Sequence, residues 1–428
     1  MISVALNFLH ALGGVQVLDL FFVAILLDIP RYFLGFVAVT CSSGWSHLRG
    51  GLSSGHEGFV LAERVSILLA GFNEEQTIER CVRSLREQSY CGDLEIVCVD
   101  DGSTDNSFAI MRRLERSGII QRAMRLDLRG GKSAANNLCA TLATGDIFIV
   151  VDADCSFDRD AIREILRPFL DEPGVAAVCG NILVRNWQDS LVAALQQVEY
   201  LITISLGKTL ADAFGFVTCI SGAFGAFKRD AWRDVGGVDV GAGEDFDLTF
   251  RLRLAGHSLR FARHAICYTD APDTFRGFFN QRGRWERDTF WIRFRKFGYT
   301  FNPMHQRFRW SEMFNQLEFI IFTLLPALIF PIYLLYLFIM LPGFAPVLIL
   351  AVSIGLAAID VVAFLFALLI MGRGEYFPLI ILAPIFGLFH AYVVRSMRLL
   401  SYIDEMIFSR SLDDNYVPKK VRELSIWR

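Results

Sequence analysis

The sequence predicts an α/β domain with a mostly parallel sheet over residues 62–310, joined to an α-helical transmembrane region over residues 311–400. Three observations predict it. Strand-length apolar runs alternate with helically spaced ones in the first segment. In the second, residues 317–341, 344–371 and 376–394 form apolar runs close to or beyond the roughly 20 residues that cross a bilayer core. With 53% hydrophobic residues and a positive mean hydropathy, the chain is also too apolar for an ordinary soluble protein.

Taken in order, residues 1–40 are expected to form an N-terminal transmembrane segment, centred on the apolar stretch 17–39 despite Asp28, Pro30 and Arg31 near its middle. It has no basic start and no clear cleavage site, so it reads as retained. A Ser/Gly-rich linker occupies 41–61. VSILLAG (65–71), the apolar spacing Ile78, Cys81, Val82 and Leu85, and LEIVCVD (94–100) read as strand, helix and strand. Helices over 106–117 and 133–143 and a strand over 146–154 repeat the pattern, which predicts a parallel sheet with its ligands beyond the carboxyl ends of the strands. The stretch 189–215 reads as amphipathic and interfacial, and residues 401–428 form a C-terminal tail. The nine cysteines are scattered without a C-x-x-C pair, as suits reduced thiols in a cytosolic domain. The net charge of −3 identifies no partner, and no basic block with interleaved aromatics points to nucleic acid.

The polar motifs sit where such a sheet binds ligands. Asn73-Glu74, Asp100-Asp101 and Asp152-Ala153-Asp154 each follow an apolar strand. Carboxylates two apart on an extended chain face the same side, so Asp152 and Asp154 could share a hard cation bridging a diphosphate. Taken alone, such a pair is more often a solvated loop, and the Asp-Gly turn after Asp100 is more often structural than a base contact. Gly130-Gly131-Lys132-Ser133 offers a lysine and backbone N–H groups to phosphate, without the spacing of a P-loop. Glu244 and Asp245 precede a helix, where a carboxylate is a helix cap or a general base. Gln281, Arg284 and Trp285 share one face of a helix, an arginine suiting a diphosphate and a tryptophan a sugar ring, with interfacial anchoring as the plainer alternative.

The ordered set GFNEE, VDDGSTD, GKSAANN, DAD, SGAFGAF, GED and QRGRW, ending beside a cluster of apolar spans, resembles the family 2 inverting glycosyltransferases. These have a GT-A, Rossmann-like fold, and the likeness is to their processive synthases of cellulose, hyaluronan, chitin oligosaccharide and poly-N-acetylglucosamine. It covers roughly residues 60–400 and looks closest to the poly-N-acetylglucosamine type, except that Gly243 stands where those enzymes usually carry threonine. The resemblance implies a nucleotide and donor site made by Phe72, Asn73, Glu74, Asp100, Asp101, Lys132, Asp152 and Arg284, and a metal site, for Mg2+ or Mn2+, at Asp152 and Asp154. It also implies Asp245 as catalytic base beside Glu244, and an acceptor site at Ser221, Gly222, Gln281 and Trp285.

The implied reaction transfers a sugar from a UDP-sugar, UDP-N-acetylglucosamine first, onto a growing β-linked glycan that is extruded across the bilayer. Accessory export subunits are candidate partners. UDP-glucose or UDP-glucuronate as donor, a non-processive transfer to lipid phosphate, and a polytopic transporter marked by Asp360 are the rival readings. The catalytic domain would face the cytoplasm from a multi-pass protein of the inner or plasma membrane. One span before it and three after would put both termini outside, against the positive-inside tendency of a tail carrying Arg395, Arg398, Lys419, Lys420, Arg422 and Arg428.

Overall fold

The structure, a computed structural model, describes Gly13 and residues 60–239, 241, 243–413 and 418–420. The expected N-terminal transmembrane segment and most of the linker lie outside the described residues.

Among the described residues, eight strands form one mixed sheet in the order β3-β2-β1-β4-β7-β6-β8-β5. They are β1 (Val65–Gly71), β2 (Leu94–Asp100), β3 (Arg122–Arg125), β4 (Ile147–Asp152), β5 (Ser156–Phe157), β6 (Val175–Val184), β7 (Phe224–Lys228) and β8 (Ser258–Thr269). The first four run parallel as the alternation predicts. β7 is antiparallel to both β4 and β6, and β6 then pairs β8 in parallel.

β1 shows why the apolar runs are continuous: helices cover both faces of the sheet, so both sets of alternating side chains are buried. Val65, Ile67 and Leu69 enter one core with Ile78, Cys81, Val82 and Leu85 of α1 (Ile78–Arg86) and with Met111 of α2 (Ser107–Arg116). Leu68 enters the other core with Ala135 and Cys139 of α3 (Lys132–Leu142). α4 (Ala161–Asp171) covers the first core through Ile162, Ile165 and Leu166.

The stretch predicted as interfacial forms α5 (Leu191–Glu199), a π-helical turn (Tyr200–Leu206) and α6 (Gly207–Ala213). Its apolar residues Leu195, Val198 and Leu201 pack with Phe364, Ala367 and Phe386 of the C-terminal helices, so the segment wedges between the sheet and those helices. After α7 (Arg229–Asp234) come α8 (Glu244–Ala255) and α9 (Phe275–Phe290).

Among the described residues, two helices are long and apolar enough to cross a membrane: α10 (Trp310–Met340) and α11 (Ala345–Met371). Ile332, Leu335, Ile339, Leu350, Ile354 and Leu369 project outward from them, as lipid-facing positions require. The third predicted span is not one straight helix. A 3-10 segment, Gly374–Ile381, meets α12 (Ala383–Phe408) at 64°. Pro378 lies inside that segment and Pro384 opens α12, and each removes a backbone donor where a continuous helix would need one.

Candidate active site

The first three polar motifs emerge beyond the carboxyl ends of β1, β2 and β4. Beyond β1, Phe72 lies under the Arg129 guanidinium, 4.0 Å from the ring centre. Beyond β2, Asp101 accepts hydrogen bonds from Gly130 N (2.7 Å) and Gly131 N (2.9 Å), pinning the glycine turn that opens α3. That turn needs glycine, because Gly131 has φ +86°. Burial pushes the Asp101 carboxyl up from its ordinary value, against the pull of these N–H donors and Arg129.

Two of the expected nucleotide residues do not line the cavity wall. Asn73 adopts φ +58° and its Oδ1 accepts from Thr104 N at 2.9 Å. Asp100 is fully buried, accepts from Ser103 N at 3.2 Å and faces Arg125 at 3.4 Å. Both brace strand-end loops, the role that turn chemistry gives Asn and Asp. Glu74 does face the cavity, and burial raises its carboxyl.

At the centre, Lys132 Nζ stands 2.6 Å from Asp152 Oδ1 and 3.4 Å from Glu244 Oε1. Burial by itself would lower the lysine, yet Asp152 and Glu244 outweigh it and hold the ammonium above its usual range. Burial, with help from Asp154, lifts Asp152 to about 6 in spite of Lys132. Among the described residues no group of three or more His, Cys, Asp or Glu is arranged to hold a metal ion. A carboxylate pair at a strand end, with open space beyond it, suits instead a cation completed by diphosphate oxygens, the usual coordination of Mg2+ at nucleotides.

Gly243, with φ +64°, turns the chain into α8 and aims the first helical residues inward. Asp245 Oδ2 accepts from Gly222 N at 3.1 Å and Oδ1 from Phe246 N at 2.7 Å, so its side chain is fixed at the cavity wall. Burial raises Asp245, and Glu244 raises it further. Gly222 allows close packing here: a Cβ on it would lie 3.2 Å from Lys132 Nζ and 3.5 Å from Asp245 Cβ.

The face of α9 predicted from spacing is the one turned to the cavity, with Gln281, Arg284 and Trp285 in its wall. Among the described residues the buried Gln281 Oε1 has no hydrogen-bond partner. Ser221 joins the same wall, and the lining continues to Phe314, Phe322 and Thr323 of α10. The whole is one cavity of about 1500 Å³ running from the Phe72 end of the sheet to the first spanning helix.

Spacing alone did not single out three supporting groups. Arg129 is one. The second is a buried pair, Arg282 Nη2 to Glu199 Oε2 at 2.8 Å, whose guanidinium lies 4.3 Å from the Trp285 ring centre. The third is Lys208, in the cavity wall on α6. A lone lysine in an apolar helical stretch was a signal for it.

The sequence model of Glycosyl transferase family 2 matches residues 66–236. The chain is 31% identical over 224 residues to poly-beta-1,6-N-acetyl-D-glucosamine synthase of Staphylococcus epidermidis, covering 52% of this chain and 54% of that protein. The synthase of the same name from Staphylococcus aureus (strain COL) gives 31% over 226 residues, with 52% and 54% covered. The chain thus spans about half the length of the curated relatives it matches. Among solved structures, a mannosyltransferase from Pyrobaculum calidifontis in complex with GDP-Man and Mn2+ superposes with a TM-score of 0.55 at 18% identity, over 91% of this chain and 99% of that one. The mixed, mostly parallel sheet with its helices is therefore GT-A-like, and the chain carries a glycosyl transferase family 2 domain over residues 66–236.

Proposed function

We propose that the chain is an inverting, processive glycosyltransferase that polymerises a UDP-sugar, UDP-N-acetylglucosamine first, into a β-linked polysaccharide passed across the membrane. The observation that carries this reading is the single cavity in which Lys132, Asp152, Asp245, Gln281, Arg284 and Trp285 meet and which runs on to α10. A donor site, a base and an acceptor path occupy one space, as a single displacement requires. The likeness to the staphylococcal synthases supports the donor.

In this mechanism Asp245 takes the proton from an acceptor hydroxyl. That oxygen attacks the anomeric carbon while the bond from carbon to diphosphate breaks, and UDP leaves from the opposite side with the bonding electrons, which inverts the centre. A carboxyl raised by burial is a better base than an ordinary aspartate, and Gly222 N–H keeps it aimed. Lys132 and Arg284 supply positive charge to the leaving diphosphate. Asp152 and Asp154 would hold a divalent cation there, which when bound neutralises the diphosphate. Trp285 offers its exposed face to the acceptor sugar.

The test is to incubate membranes containing the protein with Mg2+ or Mn2+ and, in turn, labelled UDP-N-acetylglucosamine, UDP-glucose and UDP-glucuronate, and to size the product. A long polymer from one or two donors is expected. A single sugar on lipid, or no transfer from any donor, would overturn the proposal.

A further inference from the structure

Lys208 stands apart from the groups used so far. It lines the cavity from α6, and its Nζ lies 3.1 Å from Cys179 Sγ on β6. Cys179 directs its own S–H to the neighbouring Gly180 carbonyl at 3.2 Å, so toward Lys208 the sulfur acts as a neutral acceptor. Among the described residues no carboxylate is ion-paired to this ammonium. A partly buried positive charge held only by a thiol is costly unless something else meets it.

The surroundings say to which part of the cavity wall it belongs. Lys132 is grouped with Asp152 and Glu244, the phosphate side of the cavity. Lys208 is grouped with Cys179 and Cys219. Tyr200, on the π-helical turn that runs into α6, lies 5.5 Å from the Arg282 guanidinium that backs Trp285, so the segment carrying Lys208 adjoins the Trp285 wall. Leu210, Ala211 and Phe214, which follow Lys208 on and just beyond α6, line the cavity as well. Lys208 therefore belongs to the part of the cavity wall that adjoins Trp285, apart from the cluster of Lys132, Asp152 and Glu244.

An ammonium offers three donors and no acceptor, and its best partner is an oxygen that only accepts. Sugar hydroxyls both donate and accept, whereas an amide carbonyl or a carboxylate only accepts, and the carboxylate adds charge. We propose that Lys208 is an acceptor-binding, specificity-determining residue whose ammonium takes an amide or carboxylate oxygen carried by the terminal sugar of the acceptor glycan. This rests on the glycosyltransferase reading for the identity of its ligand.

The test measures binding, so it does not depend on turnover. The full chain in lipid nanodiscs is titrated with three oligosaccharides of equal length: β-linked N-acetylglucosamine, the same chain fully de-N-acetylated, and a uronate-containing chain. Wild type is expected to bind the acetylated or the uronate oligosaccharide on the order of tenfold more tightly than the de-N-acetylated one, as loss of a charge-assisted hydrogen bond implies. Whichever of the two is preferred tells the amide from the carboxylate. Lys208→Met should erase the preference and Lys208→Arg should keep part of it, with UDP binding unchanged in both as the check on folding. Equal binding of all three by wild type, or an intact preference in Lys208→Met, would overturn the proposal. Failure of the glycosyltransferase reading would appear separately, as wild-type protein that releases no UDP from any UDP-sugar.

Discussion

Replacing Glu312 by leucine should loosen the joint between the helix that carries the base and the first spanning helix. Asp245 lies in the first turn of α8, and Arg253 lies in its last turn. Arg253 makes a forked pair to Glu312 of α10, Nε to Oε1 at 2.9 Å and Nη2 to Oε2 at 3.1 Å. Its Nη1 donates to the carbonyls of Val217 and Thr218, at 3.1 and 2.6 Å. The two side chains are 6% and 1% exposed, so water cannot replace a lost partner. Glu312→Leu removes two charged hydrogen bonds worth roughly 1.5–3 kcal/mol each and leaves half of the guanidinium fork unmet. The sum agrees with the roughly 3–5 kcal/mol typical of breaking a buried pair from one side. At about 2–4 °C per kcal/mol, the melting temperature should fall by on the order of 10 °C. The assay is thermal unfolding of the detergent-solubilised protein followed by tryptophan fluorescence. The double variant Arg253→Met with Glu312→Leu should recover most of the loss, because no buried charge is then left without its partner. A Glu312→Leu variant melting within about 2 °C of wild type, less than 1 kcal/mol on that scale, would refute the reasoning.

Other outcomes follow from the site. Asp245→Asn should abolish sugar transfer while UDP binding, read by titration calorimetry, is retained; near-normal turnover would remove Asp245 from the role of base. Asp152 is raised to about 6, so protons compete with a cation for it well above the usual carboxylate range. Metal-dependent activity should therefore be full above that pH and decline as pH falls through it, and a profile flat down to the ordinary aspartate range would count against Asp152 as a ligand. Glu199→Gln frees the Arg282 guanidinium that backs Trp285 and should raise the acceptor KM more than it lowers kcat, with donor KM unchanged. Gly180→Ala would place a Cβ 2.1 Å from Phe224 Cδ1 inside the core, and overpacking of that kind costs about 1–3 kcal/mol, readable as a lower melting temperature.

Local pattern marked three of the eight strands among the described residues and several residues of the cavity wall. β1 and β2 fall where their apolar runs predict, over 65–71 and 94–100, because a parallel strand covered on both faces must be apolar throughout. Glycine and aspartate at the strand ends mark the loops, since those loops need left-handed backbone or side-chain caps that few residues supply. Helical spacing was enough to turn Gln281, Arg284 and Trp285 to one side of α9. Spacing could not distinguish Asp100 from Asp101. Adjacent residues at a strand end point in opposite directions, and only the packing decides which one faces the cavity.

By itself, then, the sequence determined an α/β domain, its alternation of strands and helices up to residue 154, the apolar runs beside it and the set of polar motifs. Each follows from local periodicity and turn chemistry. The tertiary structure decided what depends on contacts between distant segments. It put Lys132 between Asp152 and Glu244, tied Asp245 to Gly222, and set Arg282 and Glu199 behind Trp285. It also bent the last apolar run and joined the site to α10 in one cavity. Those partners are 20 to 112 residues apart along the chain, and no local pattern records which of them meet.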